Sequence, residues 1–147
     1  MRHRAAVAAV ATILLFGSCA GGEAVTGDRR NVGVVSVVFS ARPARTRVGQ
    51  AVRLRISLVN SSGRAEAVVF PDAQQYDFWV RRGSREVWRW SDDRSFAAAI
   101  TTLDLQSQDP RMFSETWTPE REGTYDVFGT ITTKGYDKPL AGEVVVE

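Results

Sequence analysis

Residues 76–90 read Tyr76-Asp77-Phe78-Trp79-Val80-Arg81-Arg82-Gly83-Ser84-Arg85-Glu86-Val87-Trp88-Arg89-Trp90. Side chains two apart on a strand point to the same side, so Tyr76, Phe78 and Val80 share one face. Gly83 and its neighbours mark a reversal, after which Trp88 and Trp90 alternate again. A three-residue loop over Arg82-Gly83-Ser84 sets Tyr76 opposite Trp90 and Phe78 opposite Trp88. All four aromatics then lie on one face, and Asp77 meets Arg89 on the other. A two-residue loop would slip the register by one and oppose Phe78 to Arg89. Cross-strand aromatic and opposite-charge pairs each contribute about 0.2–1 kcal/mol, which favours the odd loop.

The same period of two runs outward from this hairpin. Val34-Val35-Ser36-Val37-Val38-Phe39 is β-branched and apolar. Val52, Leu54, Ile56 and Leu58 alternate with Arg53, Arg55 and Ser57, the pattern of a strand with one wet face. Asn60-Ser61-Ser62-Gly63 is a turn cluster, followed by the strand-like Ala67-Val68-Val69-Phe70. Met112 to Trp117 reads as a strand. Another starts at Gly123-Thr124-Tyr125, with Tyr125, Val127 and Ile131 on one face, and Val144-Val145-Val146 closes the chain. Between Ser91 and Ile100 the alanines and the leading Ser and Asp favour one or two short helical turns crossing between sheets. The fold expected is all-β: an antiparallel, immunoglobulin-like β-sandwich of seven or eight strands with one short helical turn. Tyr76, Phe78, Trp88, Trp90, Trp117 and Tyr125 are its expected core. Trp79 points away from Phe78 and is the candidate for a partly exposed partner contact.

The first residues follow a different logic. Met1-Arg2-His3-Arg4 is basic, and Ala5 to Phe16 is apolar except for Thr12. That run suits the hydrophobic segment of an export signal and is short for a bilayer span. Phe16-Gly17-Ser18-Cys19 then resembles the lipobox of bacterial lipoproteins, with Phe16 where Leu is usual. The resemblance implies a signal peptide over residues 1–18 and lipidation of Cys19. Residues 19–32 are expected to be the lipidated cysteine and a flexible Gly-containing tether, with the sandwich over 33–147. Such a chain would sit in the cell envelope, anchored to a membrane by lipid outside the cytoplasm, on the periplasmic or cell-surface side.

Composition removes several functions. The 147 residues suffice for one domain. The 19 Lys+Arg less Arg2 and Arg4 leave 17, equal to the 17 Asp+Glu. Nucleic acid binding, which needs clustered excess positive charge, is not expected from that balance. Cys19 is the single cysteine and His3 the single histidine, so no disulfide forms within the chain. Residues 20–147 contain neither type, which excludes His-based zinc sites and Ser-His-Asp or Cys-His catalysis there. Asp72, Asp92 and Asp93 lack the spacing of a calcium loop, so no metal or other cofactor is expected.

Tyr76-Asp77-Phe78, Glu86-Val87-Trp88-Arg89-Trp90-Ser91 and Phe96 together resemble the intracellular proteinase inhibitor (BsuPI-type) family. Trp117, the Gly123-Thr124-Tyr125 pair and Asn60 extend the likeness over roughly residues 35–146. The resemblance implies an immunoglobulin-like fold and a founding activity of serine proteinase inhibition. The family name says intracellular, whereas Met1–Cys19 reads as an export signal. The matched residues are largely aromatics suited to a core, so they carry fold better than activity. The reading is a non-catalytic, membrane-tethered protein-binding sandwich, its partner unknown but with a serine protease in view. The rival reading is an accessory envelope lipoprotein that recruits or stabilises a membrane protein complex without inhibiting proteases. Arg111, beside Pro110 at the end of a polar loop, is a second candidate contact: a trypsin-like S1 pocket accepts Arg.

Overall fold

A computed structural model of the chain describes residues 23–147. The strands are β1 (Thr26–Val32), β2 (Val35–Arg42), β3 (Arg45–Thr46), β4 (Val52–Asn60), β5 (Glu66–Phe70) and β6 (Tyr76–Arg82). They continue as β7 (Arg85–Arg89), β8 (Thr101–Leu105), β9 (Arg111–Trp117), β10 (Gly123–Ile131) and β11 (Leu140–Val146). One sheet has the order β1-β2-β4-β9 and the other β3-β11-β10-β6-β7, while β5 and β8 pair separately. All pairings are antiparallel except β3 with β11.

The two large sheets close on each other through their alternate residues. Val35, Val37, Phe39 and Ala41 of β2 and Val52, Leu54, Ile56 and Leu58 of β4 are all buried. They meet Phe78 and Val80 of β6 and Tyr125, Val127 and Ile131 of β10. Gly129 leaves room for the facing sheet: a Cβ there would lie 2.8 Å from both Ile56 Cδ1 and Phe39 Cδ2. The fold is an immunoglobulin-like antiparallel β-sandwich. Strand order supports that description, as does the short β3, with which the chain passes from the sheet of β2 to the other sheet and runs parallel to the last strand. Tyr125, near the start of β10, donates from its hydroxyl to the Arg121 carbonyl at 2.7 Å, forming a tyrosine corner. Trp117 packs edge-on against it, with ring centroids 4.9 Å apart.

Three expectations change. The described residues hold eleven strands, more than the seven or eight expected. Thr26–Val32, expected as tether, is the edge strand β1, paired with β2 along its whole length. An edge strand buries only one flank, so it tolerates the Arg, Asp and Gly content that reads as linker. β8 was missed despite the alternation of Thr101, Leu103 and Leu105, because the preceding alanines suggested helix. The helical turn is a single 3-10 turn over Trp90–Asp93, and Ala97, Ala98 and Ala99 are exposed and irregular.

The hairpin register changes as well. The loop has two residues, Gly83 and Ser84, with Arg82 opposite Arg85 and Gly83 at φ +60°. Between Glu86 and Trp88 the register shifts, so that Arg81 pairs with Glu86 and Val80 with Trp88. Val87 is the extra residue of this β-bulge. One even loop and one inserted residue restore the parity that a three-residue loop would have supplied. Tyr76, Phe78, Val80 and Trp88 therefore do share a face, but Trp88 opposes Val80, not Phe78. Trp79 opposes Arg89, and Trp90 leaves the strand for the 3-10 turn.

Candidate functional site

The hairpin builds a different structure on each of its faces. On the outer face Asp77, only 5% exposed, is the anchor. Its Oδ2 accepts from Arg89 Nη1 at 2.7 Å and from the Ser91 hydroxyl at 2.8 Å. Its Oδ1 accepts from the Phe78 amide at 2.9 Å. Arg89 also donates to Glu86 Oε1 from Nη2 at 2.7 Å. Burial disfavours the charge on Arg89, but the hydrogen bonds to Glu86 and Asp77 outweigh it, and its pKa is raised. The same guanidinium lies over Trp79, 4.5 Å from the ring centroid. Trp79 stacks on Phe128 at 5.3 Å, and Arg81 covers the other side of Phe128. Arg89, Trp79, Phe128 and Arg81 thus form one continuous pile.

On the inner face the aromatics bridge the open edge between the two sheets. Tyr76 of β6 is stacked on Phe113 of β9 at 4.7 Å and on Trp90 at 4.4 Å. The Arg94 guanidinium caps Trp90 at 4.5 Å. Tyr76 Oη donates to Glu115 Oε1 at 2.6 Å. Burial pushes the phenol pKa up, and the hydrogen bond and negative charge of Glu115 push it further, against a smaller opposing effect of Arg94. Outside this ladder lies a shallow hollow of about 370 Å³ lined by Trp88, Trp90, Arg94 and Glu115.

A third feature is the loop between β8 and β9. Asn60, fully buried at the end of β4, spends both amide protons on the carbonyls of Arg64 and Leu105. Its Oδ1 accepts from the Ser62 amide at 2.9 Å and the Ser62 hydroxyl at 2.7 Å. Its carbonyl accepts from the Gln108 amide at 2.9 Å. Gln108 has φ +60°, the left-handed region, within a turn closed by Asp109 N to the Gln106 carbonyl. The loop is therefore held in shape by a buried amide whose polar groups are all paired. It leads directly into Arg111 and Met112, both exposed on β9, the last strand of its sheet.

The structure separates the predicted residues. Phe78, Trp117 and Tyr125 are buried. Tyr76, Trp88 and Trp90, expected in the core, are half-buried and pack against it. Trp90 is held at the rim because the 3-10 turn takes it out of the strand. Trp79, expected to be partly exposed, is 6% exposed, since Arg89 and Phe128 sandwich it. Strand alternation reports which face a residue is on, and a large ring on an outer face can still be roofed over. Arg111 is exposed, about as far along the chain from the hairpin as Asn60 is. Cys19 lies outside the described residues. Sequence reasoning overlooked the roles of Glu115, Arg94 and Phe128; their partners are distant in sequence and no local pattern ties them together. Among the described residues no cluster of three or more His, Cys, Asp or Glu side chains could hold a metal. No helix among them is long and apolar enough to cross a membrane.

Comparison with known proteins accounts for why these residues occur together. Residues 39–136 match the family described as intracellular proteinase inhibitor (BsuPI). The chain belongs to this BsuPI family. The match spans β2 to the β10–β11 connection and so includes the polar knot around Asp77, the Tyr76 ladder and Asn60. In structural terms, Tyr76, Asp77, Arg89, Trp90 and Ser91 tie the hairpin together and to β9, whereas Trp117 and Tyr125 form the tyrosine corner and Asn60 anchors the β8–β9 loop. Solved structures match the chain at low identity and with TM-scores under 0.5. A β-glucosidase from Listeria innocua matches at 15% identity with a TM-score of 0.45, over 76% of this chain and 16% of its own. The CARDB domain of a Pyrococcus furiosus protein matches at 16% and 0.43, over 82% of this chain and 94% of its own. Spo0M, a sporulation control protein from Bacillus subtilis, matches at 14% and 0.48, over 79% and 50%. The BsuPI chain thus spans only a small part of the β-glucosidase. No curated protein was found to match it.

Proposed function

We propose that this BsuPI-family chain is a non-catalytic, membrane-tethered protein-binding domain whose contact surface is the Gln106–Pro110 loop and the free edge of β9. The single observation that carries the reading is that β9 ends its sheet with no strand beside it, while Arg111 and Met112 at its start are exposed. Serine proteinases grip inhibitors as an extended segment, and an open strand edge supplies backbone donors and acceptors for such pairing. The loop's anchoring to Asn60 lowers the conformational entropy lost on binding. Arg111 suits the S1 pocket of a trypsin-like enzyme. The absence of His and Cys from residues 20–147 supports a role without covalent chemistry. The Met1–Cys19 pattern supports export and tethering through a lipid on Cys19, outside the cytoplasm.

The test is inhibition of trypsin-, chymotrypsin- and subtilisin-like proteinases by the purified chain. Micromolar or tighter inhibition of a trypsin-like enzyme is expected. Arg111→Ala should weaken it about tenfold or more while leaving the unfolding midpoint unchanged. No inhibition by a folded wild-type chain would overturn this reading in favour of an accessory lipoprotein that recruits or stabilises a membrane complex. Globomycin, which blocks lipoprotein signal cleavage, should leave the precursor unprocessed; unchanged processing would count against Cys19.

A further inference from the structure

The two outer faces of the sandwich differ in charge. On the five-stranded sheet, Asp77, Asp126 and Glu143 are interspersed with Arg81 and Arg89, and Asp126 stands directly opposite both Arg81 and Glu143. On the four-stranded sheet the residues between the buried ones are Arg29 and Asn31 of β1 and Ser36, Val38, Ser40 and Arg42 of β2. Arg53, Arg55, Ser57 and Val59 of β4 and Met112, Ser114 and Thr116 of β9 complete that face. Its strand residues present four arginines and no carboxylate.

Those arginines also lack a direct ion-pair partner: Arg29, Arg42, Arg53 and Arg55 take part in none of the ion pairs among the described residues. Arg29 Nε donates to the Ser36 hydroxyl at 3.0 Å and Arg55 Nε to the Ser114 hydroxyl at 3.2 Å, which lays both side chains along the sheet. Arg42 and Arg53 sit directly opposite each other across β2 and β4, an arrangement that like charges disfavour unless an anion is near. They line a shallow hollow of about 400 Å³ together with Glu23 and Thr116. Glu23 is the one acidic side chain lining it. Glu120 and Glu122 belong to the connection that crosses to the other sheet.

The position of that hollow matters. Glu23, the first described residue, is at the corner formed by Arg42 and Arg53. Cys19 is four residues earlier, no more than about 14 Å along an extended chain. We propose that the outer face of the four-stranded sheet lies against an anionic phospholipid surface, with Arg42, Arg53 and Arg55 among the phosphate headgroups. This rests on the tethered reading above and deepens it by fixing which face meets the membrane. A lipid on Cys19 brings this corner within reach of headgroup phosphates. Arginines so held gain affinity from the negative surface potential, which decays over about 10 Å at 0.1 M salt. The β9 edge, at the rim of the same sheet, and the Gln106–Pro110 loop at its far end remain free for a protein partner.

The test uses the full chain carrying Cys19→Ser, so that no lipid contributes. Its flotation with vesicles of phosphatidylcholine alone is compared with vesicles containing about one third phosphatidylglycerol, at low salt. The apolar N-terminal segment binds both vesicles, and Arg2 and Arg4 add the same anionic preference to every variant, which sets the baseline. Binding to the anionic vesicles should be tighter by roughly 10- to 100-fold, and the preference should vanish near 0.5 M salt. The R42S/R53S/R55S variant should lose about tenfold or more of it, down to the share due to Arg2 and Arg4, while R81S/R85S/R121S, with the same change of charge elsewhere, should keep it. Near-UV circular dichroism checks that both fold. Equal binding to the two vesicles, or a preference unaffected by R42S/R53S/R55S, overturns the proposal. The mass of the N-terminal peptide of the wild-type chain is read separately: an unmodified Cys19 refutes the tether and leaves the arginine comparison standing.

Discussion

Asp77 and Arg89 meet at 2.7 Å across a hairpin in which they are not direct cross-strand partners; Arg89 opposes Trp79. The contact is diagonal, and it exists because Val87 is inserted as a bulge and draws Arg89 back along β7. The pair is 7% exposed on the Asp side and 27% on the Arg side, so solvent screens it only in part.

Asp77→Ala should therefore destabilise the chain by about 2–4 kcal/mol. It removes the three hydrogen bonds that the carboxylate accepts, from Arg89, Ser91 and the Phe78 amide, and leaves Arg89 beside a buried face. Equilibrium denaturation in urea measures this. A loss under about 0.5 kcal/mol, the range of a surface ion pair, would show that the knot around Asp77 contributes little.

Deleting Val87 should be far worse than substituting it. Val87 is exposed, so Val87→Ala is expected to cost no more than about 0.5 kcal/mol. Deletion reverses the parity of the strand beyond it and turns Trp88 to the outer face and Arg89 inward. Soluble expression and near-UV circular dichroism distinguish the cases. A deletion variant with the wild-type spectrum and stability would contradict the bulged register.

Asn60→Ala leaves the Leu105 and Arg64 carbonyls and the Ser62 donors without their partner. A loss of about 2–4 kcal/mol is expected. Hydrogen exchange should also quicken at the Gln108 amide while the β10 amides remain protected at the reduced global stability. Equal acceleration everywhere would mean the loop has no separate anchoring at Asn60.

Tyr76 and Glu115 give the chain an alkaline signature. The folded state holds the Tyr76 proton more tightly than the unfolded chain does, whose phenols titrate near pH 10. The stability this provides is complete below about pH 10 and is lost as pH rises through the folded value. Tyr76→Phe should show a smaller fall in stability between about pH 9 and about pH 11 than the wild type. Glu115→Gln keeps an acceptor but removes the charge, so the phenol should ionise at lower pH, still above its ordinary value because burial remains. Phenolate absorbance during titration reads this directly; a Tyr76 titration unchanged in Glu115→Gln would show that the Glu115 charge contributes nothing and that burial and the hydrogen bond carry the effect.

The chain's own pattern was enough for the class of fold and for most of its strands. Alternation in Val52–Leu58 and in Tyr76–Val80 is a local property of the backbone, set by pleating whatever the rest of the molecule does. The pairing of Asp77 with Arg89 was legible for the same reason: parity alone puts them on one face. What parity leaves open is how far along the face two residues sit, and whether anything covers them. The bulge at Val87 puts Trp88 opposite Val80, two residues from Phe78, without changing its side, and Trp90 leaves the strand. Trp79 was buried by Phe128, forty-nine positions later, through the pairing of β10 with β6. β1 became a strand only because β2 offered it an open edge, and the Arg42–Arg53 face became basic only when the sheet laid β1, β2, β4 and β9 side by side. Local geometry is written residue by residue. Register, roofing and the gathering of like charges depend on contacts between segments that no local pattern names.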